Sequence, residues 1–134
     1  MVLVDTSVVG NLLLDGPLAA AARALYALDA DWHSEPLLLA ELTNVIATAA
    51  RVRGLPSERA QSLLSKAHEI LDAGLHPMTD RDVLALAIRL RVTGYDARFL
   101  CAAAALGVPL VTEDAGLRKK APALTCAIAE ALKR

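Results

Sequence analysis

Four acidic residues, Asp5, Glu41, Asp96 and Asp114, stand at positions where a fold could bring carboxylates to one place. Asp5 closes the apolar run Val2 to Val4. Asp96 follows Gly94 and opens an alanine-rich run of about three helical turns, and Asp114 lies just beyond the β-branched and leucine run Val108 to Val111. Glu41 is set among Leu37, Leu38, Ala40, Leu42 and Val45, where a carboxylate costs several kcal/mol unless it is paired or holds a cation. Asp96 or Asp114 taken alone reads more readily as a helix N-cap, so the weight falls on their joint placement. Four carboxylates without basic partners share a pocket only around a hard cation. With no His or Cys beside them, oxygen ligands select Mg2+ or Mn2+ over Zn2+. Such an ion acidifies water, neutralises a phosphate and stabilises a leaving oxygen in an in-line displacement.

The elements that must position these acids alternate between short strands and helices. Val2 to Val4 is a strand delivering Asp5 to its tip, with Thr6 and Ser7 as capping-type residues before the apolar run Val8 to Leu14. Asp15-Gly16-Pro17 is a turn, Leu18 to Leu28 has good helix propensity, and Trp32 to Ser34 suits a very short strand. Pro36 opens a helix through LLLAELTNVIATAARVR that ends at Gly54; its first turns show little polar face, which predicts that it is largely buried there. Asn44, one turn beyond Glu41, shares its face. Glu58 to Leu71 is amphipathic, Leu75 to Met78 is a weak strand candidate, and Thr79 with Asp82 starts a helix over 80–92. After the Asp96 helix Gly107 is the stop, and Thr112 follows the strand ending at Val111. Leu117 to Lys120 is a basic helical segment, Leu124 to Ile128 a last strand, and 129–134 a frayed polar tail. This alternation predicts a three-layer α/β/α sandwich with a short, mostly parallel central sheet, with residues 1–134 as one domain.

Composition narrows the class. The chain has 134 residues, 55% of them hydrophobic, and the apolar content is mostly alanine and leucine. Gly107 and Pro109 interrupt the longest apolar run, which excludes a spanning segment, and the start MVLVDTS lacks a positive n-region, so it is expected to be a strand of a cytoplasmic protein. Cys101 and Cys126 lie in apolar segments without metal-type spacing and read as buried small hydrophobes. His33, His68 and His76 share no spacing. The formal net charge is −1, no global sign of a nucleic-acid binder; setting the four site acids aside leaves a mildly positive surface. With few aromatics there is no stacking platform, so a nucleic acid would be held mainly through its phosphates by Arg51 and Arg53 at the end of the Glu41 helix and by Arg118, Lys119 and Lys120. Mean hydropathy of +0.43 predicts apolar patches for a partner, with the helices over 17–28 and 57–71 as candidates.

The runs VDTSV at 4–8, AELTNV at 40–45 and YDARFLCAAAALGVPLVTEDAGL at 95–117 resemble the PIN-domain ribonucleases, and among them the VapC-type toxins of prokaryotic toxin–antitoxin pairs. The likeness covers nearly the whole chain, and the last run is its most specific part. The resemblance implies that Asp5, Glu41, Asp96 and Asp114 form an acidic catalytic site for Mg2+ or Mn2+, with Thr6, Asn44 and Thr112 supporting it. It also implies cleavage of single-stranded or loop RNA, and a homodimer inhibited by a small antitoxin. Arg98 stands in a position that varies in that family; two residues beyond Asp96, it faces away from it, toward the rim or solvent.

Other readings fit less well. A haloacid-dehalogenase-type phosphatase, another Mg2+-dependent enzyme, needs a second Asp where this chain has Ser7. A receiver-type phosphoacceptor needs an early acidic pair, which is absent. A non-catalytic PIN-type scaffold that binds RNA or protein is disfavoured by the presence of all four acids.

Overall fold

Val2–Val4 forms the first strand, β1, with Leu3 and Val4 fully buried. In the computed structural model, which describes residues 1–134, a helix α1 (Thr6–Leu13) follows at once, because Asp5 caps it. Next come α2 (Ala19–Leu28), β2 (Trp32–His33), α3 (Leu37–Arg53), α4 (Ser57–Ile70), α5 (Asp80–Leu90) and α6 (Gly94–Leu106). The chain ends through β3 (Leu110–Val111), α7 (Ala115–Lys120), β4 (Thr125–Cys126) and α8 (Ile128–Ala131). Gly54 and Gly107 stop α3 and α6 in the left-handed region, with φ of 71° and 67°. There a Cβ would strain the backbone.

The four strands form one sheet in the order β2-β1-β3-β4, parallel throughout. This is the expected three-layer α/β/α sandwich, and strands this short and this apolar belong to a sheet covered by helices on both faces. After β1 the chain adds β2 on one side and then crosses to place β3 on the other. The direction of winding therefore reverses between β1 and β3, and the carboxyl ends of these two strands flank the crevice where ligands bind in such sheets. Asp5 follows one and Thr112 the other.

Several expectations change. The 75–78 segment contributes only an isolated bridge between Leu75 and Ser34, since Pro77 lacks the N–H that a longer ladder needs. The C-terminal tail holds α8, whose entry is fixed by the Glu130 carboxylate accepting the Ala127 N–H. The helix over 57–71 exposes no large apolar side chain; Leu28, Leu84 and Ile88 are exposed instead, on α2 and α5. Both cysteines are free and buried, and no helix is long and apolar enough to cross a membrane.

Candidate active site

Asp5 is held from three directions. Its Oδ1 accepts hydrogen bonds from Ser7 Oγ at 2.6 Å and from the Val8 N–H at 3.2 Å, and its own N–H donates to the Val111 carbonyl on the neighbouring strand. With 9% of its surface exposed, Asp5 is desolvated, and burial pushes its pKa up against hydrogen bonds from Ser7, Thr112 and Val8 that favour the charged form. It is thus a helix cap in geometry, yet a buried acid with no cationic side chain to neutralise it.

The next residue carries the link to Glu41: Thr6 Oγ1 donates to Glu41 Oε1 at 2.7 Å. Glu41 is only half-buried, contrary to the expectation of an acid sealed among leucines. The buried stripe of α3 is Leu38, Leu42, Ile46 and Ala49, and Ala40, Asn44 and Val45 are exposed. The helix therefore turns a mixed alanine, acid and amide face outward, and Glu41 borders a cavity of about 760 Å³. Thr6, Ser7, Asn44 and Tyr95 line the same cavity.

Asp96 lies in the first turn of α6 but does not cap it. Thr93 is the N-cap, its Oγ1 accepting the Asp96 N–H at 3.0 Å, and the helix opens at Gly94. The Asp96 carboxylate is left without a cation or a backbone N–H to satisfy it. Burial first, and the negative charge of Asp114 second, raise its pKa; Thr93 and the Lys120 ammonium pull the other way. Asp114 does cap a helix, Oδ1 accepting the Leu117 N–H at 3.0 Å, and its own N–H donates to Thr112 Oγ1. Thr112, fully buried, thus serves Asp5 on one side and Asp114 on the other.

These contacts bring the acids into two linked groups: Asp5 with Thr112, Asp114 and Asp96 around the end of β3, and Glu41 with Thr6 and Asn44 at the cavity. As the side chains lie, no three acidic groups are close enough to grip one ion together. The basic candidates sort differently. Arg118 is engaged, donating to the Thr112 carbonyl at 2.8 Å and facing Glu113 at 3.8 Å. Lys120 donates to the Arg91 carbonyl, and Lys119 is exposed with no ion-pair partner. Arg51 and Arg53 are exposed at the far end of α3, about 15 Å along the axis from Glu41.

Other groups escaped the sequence reading. Glu35, beyond β2, is buried; its Oε2 accepts the Leu37 N–H at 2.6 Å and its Oε1 faces Arg98 at 3.4 Å. Arg98 also pairs with Asp80, so it is a clamp between α6 and the starts of α3 and α5 rather than a rim or solvent residue. His33 and His76, with no shared spacing in the sequence, stack on adjacent segments with Nδ1 and Nε2 at 2.8 Å.

The model of the PIN domain matches residues 2–122. The chain belongs to the PIN-domain family. Among solved structures it is similar to the crystal structure of PAE2754 from Pyrobaculum aerophilum, with a TM-score of 0.79, 23% identity, and 98% of this chain and 92% of that one covered. At that identity the likeness concerns the fold. A search of curated protein sequences found no match. PIN domains are generally metal-dependent nucleases that use a divalent ion, usually Mg2+. The donors of this PIN domain fit such an ion in kind: carboxylate and hydroxyl oxygens, a desolvated Asp5, and an Asp96 facing another negative charge. They also fit in number, because Mg2+ keeps several of its waters and takes only one or two carboxylates directly. One or two of Asp5, Asp96 and Asp114 are the residues that would hold it directly, beside the Thr6-bound Glu41.

Proposed function

We propose that this PIN domain is an Mg2+- or Mn2+-dependent endoribonuclease whose catalytic and metal-binding residues are Asp5, Glu41, Asp96 and Asp114. The observation that carries the reading is that Asp5 and Asp114 follow the carboxyl ends of β1 and β3, the sheet's switch point, that Asp96 feels the charge of Asp114 and Glu41 is tied by Thr6 to the residue after Asp5, and that none of the four forms an ion pair with a lysine or arginine. Uncompensated carboxylates raise one another's proton affinity and are retained where a cation completes them. A divalent ion there supplies phosphate neutralisation and a more acidic water. The chain's own residues do the positioning: Thr6 fixes the rotamer of Glu41, Thr112 joins Asp5 to the Asp114 loop, and Thr93 takes over the cap and frees Asp96. Asn44 shares the Glu41 face, and the exposed Lys119, beside Lys120 and with Arg51 and Arg53 farther off, is the cation free to meet incoming phosphates.

The narrower role is the toxin of a VapBC-type pair, supported by the VDTSV, AELTNV and YDARFLCAAAALGVPLVTEDAGL runs. It entails a cytoplasmic protein, a small antitoxin partner and a homodimer. Leu84 and Ile88, 62% and 71% exposed one turn apart on α5, are apolar surface that a partner chain would cover. The deciding experiment is RNA cleavage by the purified protein with Mg2+, with Mn2+ and with chelator, beside Asp5→Asn and Asp96→Asn. Cleavage that needs the ion and both acids supports the nuclease; binding of RNA without cleavage would make the chain a scaffold.

A further inference from the structure

The chain has four aromatic side chains besides histidine, and three of them are occupied. Trp32 and Phe99 are buried, and Tyr26 packs edge-on against Trp32 with ring centroids 5.3 Å apart. Tyr95 is different. It is 67% exposed, has no aromatic partner and makes no side-chain hydrogen bond. It precedes Asp96 in the first turn of α6 and forms part of the wall of the cavity that Glu41 borders. An exposed tyrosine fixed by a helix terminus loses little conformational freedom on binding, because the ring has only two side-chain torsions to settle.

The rest of the cavity narrows what could lie against that ring. Its wall holds no lysine or arginine and carries Glu41, so an anionic phosphate gains nothing inside it. Leu37 and Val45 give it an apolar part, and the exposed Asn44 offers an amide with no hydrogen bond inside the protein. An amide both donates and accepts, matching the edge of a nucleobase. A neutral, flat group with polar edges fits this mixture, and about 760 Å³ lies within the usual range for small-ligand pockets.

We propose that this cavity is a nucleobase subsite, in which the base of an unpaired nucleotide next to the scissile phosphate stacks on Tyr95 and meets Asn44 with its edge. The inference rests on the ribonuclease reading above and adds to it a place for one base: a base paired in a duplex cannot leave the stack to reach the ring without losing its partner, so the nucleotide bound there is unpaired. It adds a base contact to the phosphate contacts expected to hold the RNA in the main.

The test is binding of a fluorescein-labelled single-stranded RNA of about ten nucleotides, read by anisotropy with chelator present so that the strand stays intact. Tyr95→Phe should bind like the parent, and Tyr95→Ala about tenfold more weakly, the loss expected when one stacked base is released. One abasic position in the RNA should weaken binding to the parent by a similar factor and cost Tyr95→Ala nothing further, the coupling expected of two groups in contact. A blunt duplex should be indifferent to the substitution. Equal affinity of Tyr95→Ala and the parent, an abasic loss that is the same in both, or a Tyr95→Phe as weak as Tyr95→Ala overturns the subsite. Because binding is read without metal, these outcomes are separate from failure of the nuclease reading, which is absence of divalent-dependent cleavage by the parent.

Discussion

Thr6 and Glu41, 35 positions apart in the chain, are joined by a 2.7 Å hydrogen bond from the threonine hydroxyl to the glutamate carboxylate. It connects the first residue after the Asp5 tip of β1 to the second turn of α3, and so sets the direction of the Glu41 carboxylate relative to Asp5. Replacing Thr6 by Val keeps the shape and removes the donor. The expected result is cleavage reduced about ten- to a hundredfold, the usual effect of losing a group that orients a ligand. Stability should fall by only about 0.5–1.5 kcal/mol, because the half-buried Glu41 can turn to water. Rate measurements beside urea unfolding check this, and Thr6→Ser should recover most of the rate. Equal losses of rate in Thr6→Val and Thr6→Ser would mean that the hydroxyl does not orient Glu41.

Asp96 makes the metal-free protein sensitive to pH. Its folded pKa lies above the ordinary value of 3.8, first because it is desolvated and second because Asp114 is negative beside it. A carboxyl raised in this way binds its proton more tightly when folded. Its stabilising contribution is fully present below 3.8 and is lost as the pH rises through the folded value. Asp96→Asn has nothing to lose in that window, so in chelator the mutant should gain on the parent as the pH climbs. The advantage should level off near neutrality at about 0.5–1 kcal/mol, small because Asp96 is partly solvated. Thermal unfolding of both proteins across the acidic range gives the difference curve. Adding Mg2+ at about ten times its dissociation constant should then stabilise the parent by about 1.4 kcal/mol and the mutant far less. A difference curve that is flat with pH would remove Asp96 from the strained set.

The two basic residues Arg118 and Lys119 should separate by what they touch. Arg118 bonds the carbonyl of Thr112, the residue that holds both Asp5 and Asp114, and so belongs to the support of the acids. Lys119 is exposed and unpaired. Lys119→Gln should leave the melting temperature unchanged while weakening RNA binding and lowering the steepness of its salt dependence by about 0.7 for one lost phosphate contact on a single strand. Arg118→Gln should lower the melting temperature and the cleavage rate together. A salt titration of RNA binding paired with a melting curve for each variant reads both effects, and identical salt slopes for Lys119→Gln and the parent would place the phosphate path elsewhere.

The sequence showed the ends of elements better than their faces. Asp5 after a strand, Thr79 as a cap, and Gly54 and Gly107 as stops were visible because each rests on the local chemistry of one or two residues. The orientation of α3 was not, because alanine and leucine at consecutive positions blur the helical period that separates a buried stripe from an outward face. Asp96 looked like a helix opening because Thr93 stands before Gly94, a residue that reads as a break; the hydroxyl of Thr93 nevertheless caps across it. Tyr95 carried no periodic signal at all. The role proposed for it depends on a cavity lined largely by α1 and α3, elements far before it in the chain. His33 meets His76 through the parallel bridge beside them, and Glu35 meets Arg98 because α6 lies against the start of α3.

The Glu35–Arg98 pair yields the last prediction. The Glu35 side chain is 4% exposed, and besides the Leu37 N–H it depends on Arg98, whose guanidinium also reaches the Met78 carbonyl and Asp80. Removing the arginine leaves a carboxylate in a site that water hardly enters, and breaking one partner of such a pair costs more than the pair itself contributes. Arg98 is partly exposed, so water can replace some of what is lost, and Arg98→Ala should destabilise by about 1–3 kcal/mol. Arg98→Lys should recover only part of this, since one ammonium cannot reproduce a planar fork that reaches a carbonyl and two carboxylates. Arg98 lies two positions from Asp96 on α6, and Glu35 fixes the start of the helix that carries Glu41, so the loss should also lower cleavage under conditions where the protein is still fully folded. Urea unfolding of Arg98→Ala, Glu35→Gln and the double variant isolates the pair: the double variant should be more stable than the sum of the single losses allows, because neutralising Glu35 removes the stranded charge. Strict additivity would show that Arg98 acts through Asp80 and the Met78 carbonyl alone, and that the tie between α3 and α6 lies elsewhere.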